Sequence, residues 1–159
     1  DQSFLRKTSK VSVLSVAKKK YMRILAIDHG EKRIGLALSD PTQTIASPLR
    51  VIKHVSRMID AAQVAEIANQ NDVELIIIGQ SLDEDGKPNM AGRRAGRFAD
   101  ELKNQTNIPI EMVDESFSTQ IARAARIELG VSRKKRAGHQ DEYAAVVILQ
   151  NYLETKRNS

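Results

Sequence analysis

Residues 22–40 have the sequence MRILAIDHGEKRIGLALSD, which is two apolar runs joined by an acid, a glycine and a short polar segment. The runs at 23–28 and 33–38 predict two short strands, and HGEK between them predicts the turn of a β-hairpin. Asp28 then lies at the carboxyl end of a strand with the composition of a buried one. An acid in that position is either turn chemistry or a metal ligand. Asp40, which follows the second run directly before a proline, is predicted to be turn chemistry.

The rest of the sequence predicts strands that alternate with helices. The expected elements are, in chain order, a strand within 44–53, a helix at 56–71, a strand at 73–79, a helix at 90–104, a strand at 108–116, and helices at 118–129 and 139–155. Pro48 favours an edge position for the first of these strands, and the unbroken apolar run VELIIIG is typical of a strand buried on both faces. Alternating strands and helices imply right-handed parallel crossovers. We therefore predict an α/β fold: a mixed sheet of five strands, the first three antiparallel and the later ones parallel, with helices on its faces.

Two smaller expectations concern the helix at 56–71 and the histidines. Ser56 is the predicted N-cap of this helix. Its apolar face is predicted to hold Met58, Ala61, Ala62, Ala65 and Ala68. The histidines, which are not clustered in the sequence and are predicted to be surface or packing residues, are His29, His54 and His139.

Composition excludes several classes of protein. The chain has 159 residues, enough for one domain with one core, and it has no cysteine. Disulfides, thiolate zinc sites and cysteine nucleophiles are therefore excluded, and a reducing cytoplasmic location is expected. No apolar stretch approaches the roughly 18 residues that span a bilayer, so no membrane is expected as a partner. Aromatic residues make up only 4% of the chain, which argues against large stacking platforms for single-stranded nucleic acid.

The net charge of +5 belongs to the first part of the chain. Residues 1–21 carry six basic residues against Asp1, which gives 6 − 1 = +5, and the remaining 19 basic and 19 acidic residues cancel. We expect a basic flexible extension at 1–21, one folded domain at 22–155 and a short tail at 156–159. Any argument for nucleic-acid binding by the domain must therefore depend on where its charges lie.

Four acidic positions are predicted to approach one edge of the sheet. Asp28, Gly79 and the pair Asp114–Glu115 occupy the carboxyl ends of three strands, and ligands in such sheets bind beyond those ends. Because adjacent strand residues point to opposite faces, only one acid of the pair can share a pocket with Asp28. Asp141 belongs to the apolar stripe of the last helix, where a carboxylate needs a partner.

Carboxylates that converge repel one another unless a cation is present. Oxygen-only ligation suits Mg²⁺ or Mn²⁺, and two such ions can activate water and stabilise the leaving oxygen of a phosphodiester. Gly30 would leave the backbone beside Asp28 uncrowded. Each acid also has a plainer explanation: a turn at Asp28, helix capping at Asp114 and Glu115, and the helix macrodipole at Asp141. The convergence of these acids is more specific than any one of them.

Four segments carry a resemblance to a known family. RILAIDHGEKRIGLALSD, IIIGQSLDEDG, VDESFSTQIAR and HQDEYAAVVILQNYL resemble the YqgF family of pre-16S rRNA nuclease and Holliday-junction-resolvase-like proteins, over about Met22 to Leu153. The resemblance implies an RNase H-like fold and divalent-metal-dependent phosphodiester hydrolysis. By motif, Asp28 matches the first-strand aspartate, Glu115 the glutamate of Asp-Glu-Arg, and Asp141 the acid that opens the last helix.

The chain departs from the family pattern at two places. Gln80 and Ser81 replace the usual Leu-Pro after Gly79, and Ser116 replaces the arginine that follows Glu115. That arginine could contact a substrate phosphate, so its loss affects substrate affinity more than metal binding.

Basic residues gather between the last strand and the last helix. They are Arg123, Arg126, Arg133, Lys134, Lys135 and Arg136. Phosphate contact is the functional interpretation, and a solvated loop is the alternative. Arg93, Arg94 and Arg97 begin the middle helix and could flank the same groove.

The expected protein is a hydrolase, a metal-dependent endonuclease acting on structured nucleic acid. Maturation of the 5′ end of pre-16S rRNA in ribosome biogenesis is favoured on family grounds, with ribosomal precursor particles as a possible partner. A Holliday junction resolvase acting on branched DNA is one alternative, for which a homodimer rather than a monomer is expected. A non-catalytic nucleic-acid-binding module is another. A nucleotide-dependent phosphotransferase would need two such domains, which 159 residues do not supply.

Overall fold

The computed structural model describes residues 22–115 and 140–159, with side chains described up to 115 and from 143 onward. The extension expected at 1–21, the helix expected at 118–129 and the basic residues between 123 and 136 lie outside the described residues.

The described elements agree in type and order with the predicted ones. They are β1 (Arg23–His29), β2 (Arg33–Ser39), β3 (Ala46–Lys53), α1 (Arg57–Gln70), β4 (Val73–Gln80), α2 (Met90–Gln105), β5 (Ile110–Asp114) and α3 (Gln140–Arg157). Strand β5 is shorter than the predicted 108–116, and Glu115 follows it rather than belonging to it. None of the three helices has the length and apolar character that a membrane crossing requires.

The five strands form one mixed sheet in the order β3-β2-β1-β4-β5. The pairs β1–β2 and β2–β3 are antiparallel, and β4 pairs in parallel with both β1 and β5, as predicted. The inner position of β4 explains its apolar run, because side chains on both of its faces are covered. Pro48 lies in the edge strand β3, next to a register shift opposite Leu36 and Ala37, so the edge prediction is confirmed.

The two faces of the sheet are buried against different helices. Leu25 and Ile27 of β1 pack with α1 and α2, whereas Ile24 and Ala26 pack with α3. Since side chains alternate along a strand, Asp28 continues the series that faces α3, and the next residue, His29, faces α1 and α2. The carboxyl ends of β1, β3, β4 and β5 all lie at one edge of the sheet.

The predicted apolar face of α1 is partly wrong. Ser56 does cap the helix, accepting from the N–H of Ile59 at 3.2 Å. However, Met58 is 65% exposed and Asp60 is fully buried. Alanine spacing does not fix the rotation of a helix, because alanine is tolerated on either face; the larger Val64 and Ile67, which are buried, mark the packed side.

Asp40 forms the turn after β2, as predicted. Its carboxylate accepts from the N–H groups of Thr44 at 2.7 Å and Ile45 at 2.8 Å, and these hydrogen bonds lower its pKa to about 2. The acid at the end of the second apolar run therefore has a structural role that is complete within its own loop.

Candidate active site at the carboxyl edge of the sheet

The structure brings Asp28 and Glu115 together on the face that packs against α3. Their side chains are hydrogen-bonded to each other. Glu115 reaches this place because its N–H donates to the carbonyl of Gln80 at 3.1 Å, which extends the β4–β5 ladder by one residue. Asp114 pairs with Gln80 in the register and is exposed. The expected alternation therefore selects Glu115 as the acid that shares the pocket of Asp28.

Gly79 makes this approach possible. A Cβ atom at position 79 would lie 2.6 Å from Oε2 of Glu115 and 2.6 Å from Cδ1 of Ile148. Real Cβ atoms do not come so close to other heavy atoms, so any side chain here would displace the glutamate or the helix. The glycine is needed for space, because the Glu115 carboxyl group occupies the volume that a side chain at position 79 would fill.

The electrostatics of the pair favour a proton on Glu115. Burial raises the pKa of Glu115, the nearby charge of Asp114 raises it further, and the hydrogen bond to Asp28 opposes these effects. Two ionised carboxylates are acceptors only, so a hydrogen bond between them requires a proton. At neutral pH this arrangement is costly unless a positive charge takes the place of the proton.

Helix α3 passes next to this pair. Ile148 lies against Gly79, and Tyr152, one turn further on, donates to Oε2 of Glu111 at 2.8 Å, nearer the start of β5. Followed backward from Tyr152 to Ile148, α3 runs toward the carboxyl edge, so its first turn lies on that side. Asp141 lies seven residues before Ile148, about 10 Å along the helix and near the same stripe.

The side chain of Asp141 lies outside the described ones, so its convergence with the pair stays a prediction. Within the side chains that the structure describes, no group of three or more acids, histidines or cysteines is placed to hold a metal ion. Gly30 donates its N–H to the carbonyl of Arg33 at 2.9 Å and closes the hairpin. Its expected effect on the space around Asp28 also stays a prediction.

A second polar cluster, which we call the histidine cluster, lies on the opposite face of the same edge. Asp60 accepts from the N–H of Val55 at 3.0 Å and lies 2.5 Å from Nδ1 of His54. The ring of His29 packs on Phe98 with centroids 4.7 Å apart. Burial, more than any neighbouring charge, lowers the pKa of His29 to about 4.

His29 packs on Phe98 and the side chain of His54 is exposed, so the prediction of packing or surface residues is confirmed for both. The sequence did not indicate that the two lie close enough for the charge of His54 to act on His29. His139 lies outside the described residues. The strand-end rule that identified Asp28 applies equally to His54, which follows β3, and would have found it. No pattern in the sequence marked Asp60.

The three arginines of α2 do not act together. Arg93 and Arg97 line an open groove of about 380 Å³ between α2 and the strands β4 and β5. We call it the α2 groove. Arg94 lies toward His29 instead, and its Nε atom is buried without a hydrogen-bond partner. The basic residues with which these arginines were expected to share a groove lie outside the described residues, so that expectation stays a prediction.

Gln80 and Ser81, which replace the family's usual residues, form hydrogen bonds that hold the amino end of α2 in place. Nε2 of Gln80 donates to the carbonyl of Gly92 at 3.2 Å, and Nδ2 of Asn89 donates to Oγ of Ser81 at 2.7 Å. Asn89 in turn caps the helix by accepting from the N–H of Gly92 at 2.9 Å. The altered loop is therefore built into the scaffold of the site.

Comparison with known proteins agrees with this architecture. Residues 22–155 match a family model described as RuvX: Holliday junction resolvase. A protein of Thermoanaerobacter pseudethanolicus is 40% identical over 138 residues, covering 86% of this chain and 99% of its own. A protein of an Anaeromyxobacter species is 39% identical over 133 residues, covering 84% and 97%. Both carry the name "Putative pre-16S rRNA nuclease".

The fold is also that of solved structures. T. thermophilus RuvC in complex with Holliday junction substrate superposes with a TM-score of 0.55 at 17% identity, covering 86% of this chain and 96% of that one. A second structure of Thermus thermophilus RuvC gives 0.53 at 15% identity. Sheet order and these likenesses define the RNase H-like fold. The chain belongs to the RuvX family, the YqgF family of the sequence resemblance, and is a hydrolase of the nuclease class.

Proposed function

We propose that this protein is a divalent-metal-dependent endonuclease that hydrolyses phosphodiester bonds in structured RNA, with the 5′ end of pre-16S rRNA as its substrate. The observation that carries the proposal is the hydrogen-bonded pair Asp28–Glu115, held at the carboxyl edge of an RNase H-like sheet. The names of the two relatives favour the RNA substrate. Action in the cytoplasm on ribosomal precursor particles belongs to the same proposal.

The donor atoms of the pair fit Mg²⁺ or Mn²⁺, since both side chains offer carboxylate oxygen and no sulfur or nitrogen. The raised pKa of Glu115 supports this fit, because a divalent cation would substitute for the shared proton and keep both acids ionised. We assign Asp28, Glu115 and Asp141 as ligands. When bound, the metal would supply an activated water and stabilise the leaving oxygen.

The chain's own residues supply position and shielding. Gly79 leaves room for Glu115 beside Asp28, and Ile148 closes one side of the pair with a buried apolar side chain. Asp114 faces solvent outside the pair and acts as an auxiliary charge. The basic residues Arg123 to Arg136 remain proposed phosphate contacts. Replacing 133–136 with alanine is expected to weaken RNA binding and flatten its salt dependence.

A Holliday junction resolvase is the second candidate. The description of the family model favours it, and it requires a homodimer that cuts two symmetric strands. The non-catalytic module is less well supported. The altered sequence at Gln80 and Ser81 was one reason to consider that the chain had lost activity. Both residues have structural partners at the amino end of α2, which accounts for them without loss of activity.

The test is cleavage of labelled pre-16S rRNA and of four-way DNA junctions in Mg²⁺, Mn²⁺ or EDTA. We expect metal-dependent cutting of the RNA by wild type and by the control Glu74→Gln, whose side chain is exposed on β4. Asp28→Asn, Glu115→Gln and Asp141→Asn should each abolish it. Cutting that persists in any of the three variants would show that the site is misassigned. Cutting of junctions but not RNA would replace the first candidate by the second.

A further inference from the structure

The α2 groove begins beside the acid pair and runs away from it along the other face of the sheet. Gln80, whose carbonyl receives the N–H of Glu115, is one of its lining residues. Arg93, Arg97 and Lys103 follow along α2, spaced over about 15 Å of helix axis. At Gln80 the groove reaches the carboxyl edge of the sheet, one residue from Gly79 of the proposed site and on the opposite face.

The charge of the groove is predominantly positive. Arg93, Arg97 and Lys103 are opposed by Asp100 within it, and by Asp114 on the same face at the end nearest the acid pair. Within residues 22–115, none of the three cations forms an ion pair. Their donors are therefore available to an anionic ligand, apart from one bond of 3.2 Å from Nη1 of Arg93 to the carbonyl of Pro88.

Arg93 is placed against the local preference of its helix. The first turn of α2 contains no acid, and Arg93 lies in it, near the positive end of the helix where a cation is unfavourable. Arg97 follows one turn later, so the like charges of the two side chains repel each other. This arrangement costs some stability, which indicates a constraint other than stability at these two positions.

The groove is also rigid at the end near the site. Gly92 packs so closely on the loop before α2 that a Cβ atom there would lie 2.1 Å from the carbonyl oxygen of Ser81. Asn89 caps the helix, and Leu82 bridges to Pro88 across the loop. Arg93 is therefore presented from a fixed turn, which lowers the entropy lost on binding.

We propose that the α2 groove binds the phosphate backbone of a single-stranded segment of the nucleic acid that enters the acid pair. The volume of about 380 Å³ suits part of one strand and not a duplex. Met112, which is 36% exposed, offers an apolar surface to a base beside the cationic row. The inference rests on the proposed nuclease function in one respect, namely that the bound strand leads to the acid pair.

The test uses the full chain carrying Asp28→Asn, so that RNA is bound without being cut. The probes are a labelled RNA hairpin with a single-stranded 5′ tail of about ten nucleotides and the same hairpin without a tail. Affinity is measured in EDTA at several salt concentrations. Arg93→Gln/Arg97→Gln is compared with Arg50→Gln/Arg157→Gln, which removes the same charge from β3 and the end of α3.

We expect the groove variant to bind the tailed hairpin on the order of tenfold more weakly. The slope of log affinity against log salt should fall by about 1.4, since each single-strand phosphate contact contributes about 0.7. The hairpin without a tail and the control variant should show little change. The melting temperature of the groove variant should equal or exceed that of its parent, which excludes unfolding as the cause.

An unchanged salt slope for the tailed hairpin would overturn the proposal, and so would equal weakening for both hairpins. Failure of the proposed function can be distinguished from failure of the groove proposal. If wild type cuts no substrate while the groove variant still loses tailed-RNA binding, the nuclease assignment is wrong and the groove assignment stands. If wild type cuts RNA and the groove variant binds normally, the reverse holds.

Discussion

The two faces of the sheet carry different polar clusters at the same edge, and consecutive residues of β1 contribute to each. Asp28 faces α3 and meets Glu115, whereas His29 faces α1 and α2 and packs on Phe98. Burial pushes both clusters toward neutral forms, raising the pKa of Glu115 and lowering that of His29 to about 4. The difference is in the neighbours that the structure describes: Glu115 faces another acid, Asp28, whereas Asp60 of the histidine cluster lies 2.5 Å from Nδ1 of His54.

This comparison shows that a buried acid near the carboxyl edge of the sheet does not by itself define a site. Asp60 is more deeply buried than Glu115, yet its carboxylate is occupied by His54 and the N–H of Val55. The Asp28–Glu115 pair holds two acids against each other instead. The direct contact between two acids, rather than burial, distinguishes the acid pair.

The largest expected difference is between Asp28→Asn and Asp60→Asn. Asp28→Asn should reduce cleavage about a thousandfold or more, or roughly 4 kcal/mol of barrier, with melting temperature unchanged or higher in EDTA. Asp60→Asn should lower the free energy of unfolding by about 2 kcal/mol, because it weakens a buried hydrogen-bonded acid, while cleavage below the melting temperature stays within tenfold of wild type. Urea denaturation and single-turnover cleavage measure the two effects. A similar loss of cleavage in both variants would remove the distinction between the clusters.

Gly79→Ala should have the next largest effect. The added methyl group displaces Glu115 or Ile148, and we expect about a hundredfold loss of cleavage, typical of a catalytic group moved by about 1 Å. Gly96→Ala is the matched control, because its Cβ would meet only Nε2 of Gln80, at 3.7 Å, an ordinary contact. That variant should keep its activity on an untailed substrate and gain stability, since alanine favours a helix. Normal cleavage by Gly79→Ala would mean that the position of Glu115 is unimportant.

The smallest effect is a pH dependence of opposite sign for the two clusters, measured as unfolding free energy in EDTA. The folded-state pKa of His29, about 4 against 6.5, means that the unfolded chain binds more protons between those values, so stability falls as pH decreases through that window. We expect about 1–2 kcal/mol after discounting for partial exposure. His29→Phe, which keeps an aromatic ring on Phe98, should remove this fall.

The pH dependence of stability that Glu115 causes has the opposite sign to that of His29. Its folded-state pKa is raised, so its contribution to stability is complete below the unfolded pKa and is lost as pH rises through the folded value. Glu115→Gln should flatten that loss, and Mg²⁺ should abolish it in wild type while leaving the His29 effect unchanged. Loss of both effects on adding Mg²⁺ would show that the two clusters respond as one.

Much of the fold could be predicted because its signals are local. The apolar run of β4, the hairpin around Gly30 and the cap Ser56 each depend on a few neighbouring residues, and each is where it was expected. The strand-end rule also placed Asp28 and Glu115 at one edge. The rotation of α1 could not be predicted in the same way, since it depends on which side chains fit against the sheet.

By itself, the sequence determined the order of strands and helices, the edge that carries the acids and the family to which the chain belongs. Hydrophobic periodicity and the position of a residue at a strand end can be read from the sequence alone, so predictions from them do not require knowledge of packing. The family motif had already pointed to Glu115 rather than Asp114. Only the tertiary structure showed its contact with Asp28, the space that Gly79 leaves for it, and the contact of Asp60 with His54. Those features depend on distances between residues far apart in the sequence, which only the packing of the faces fixes.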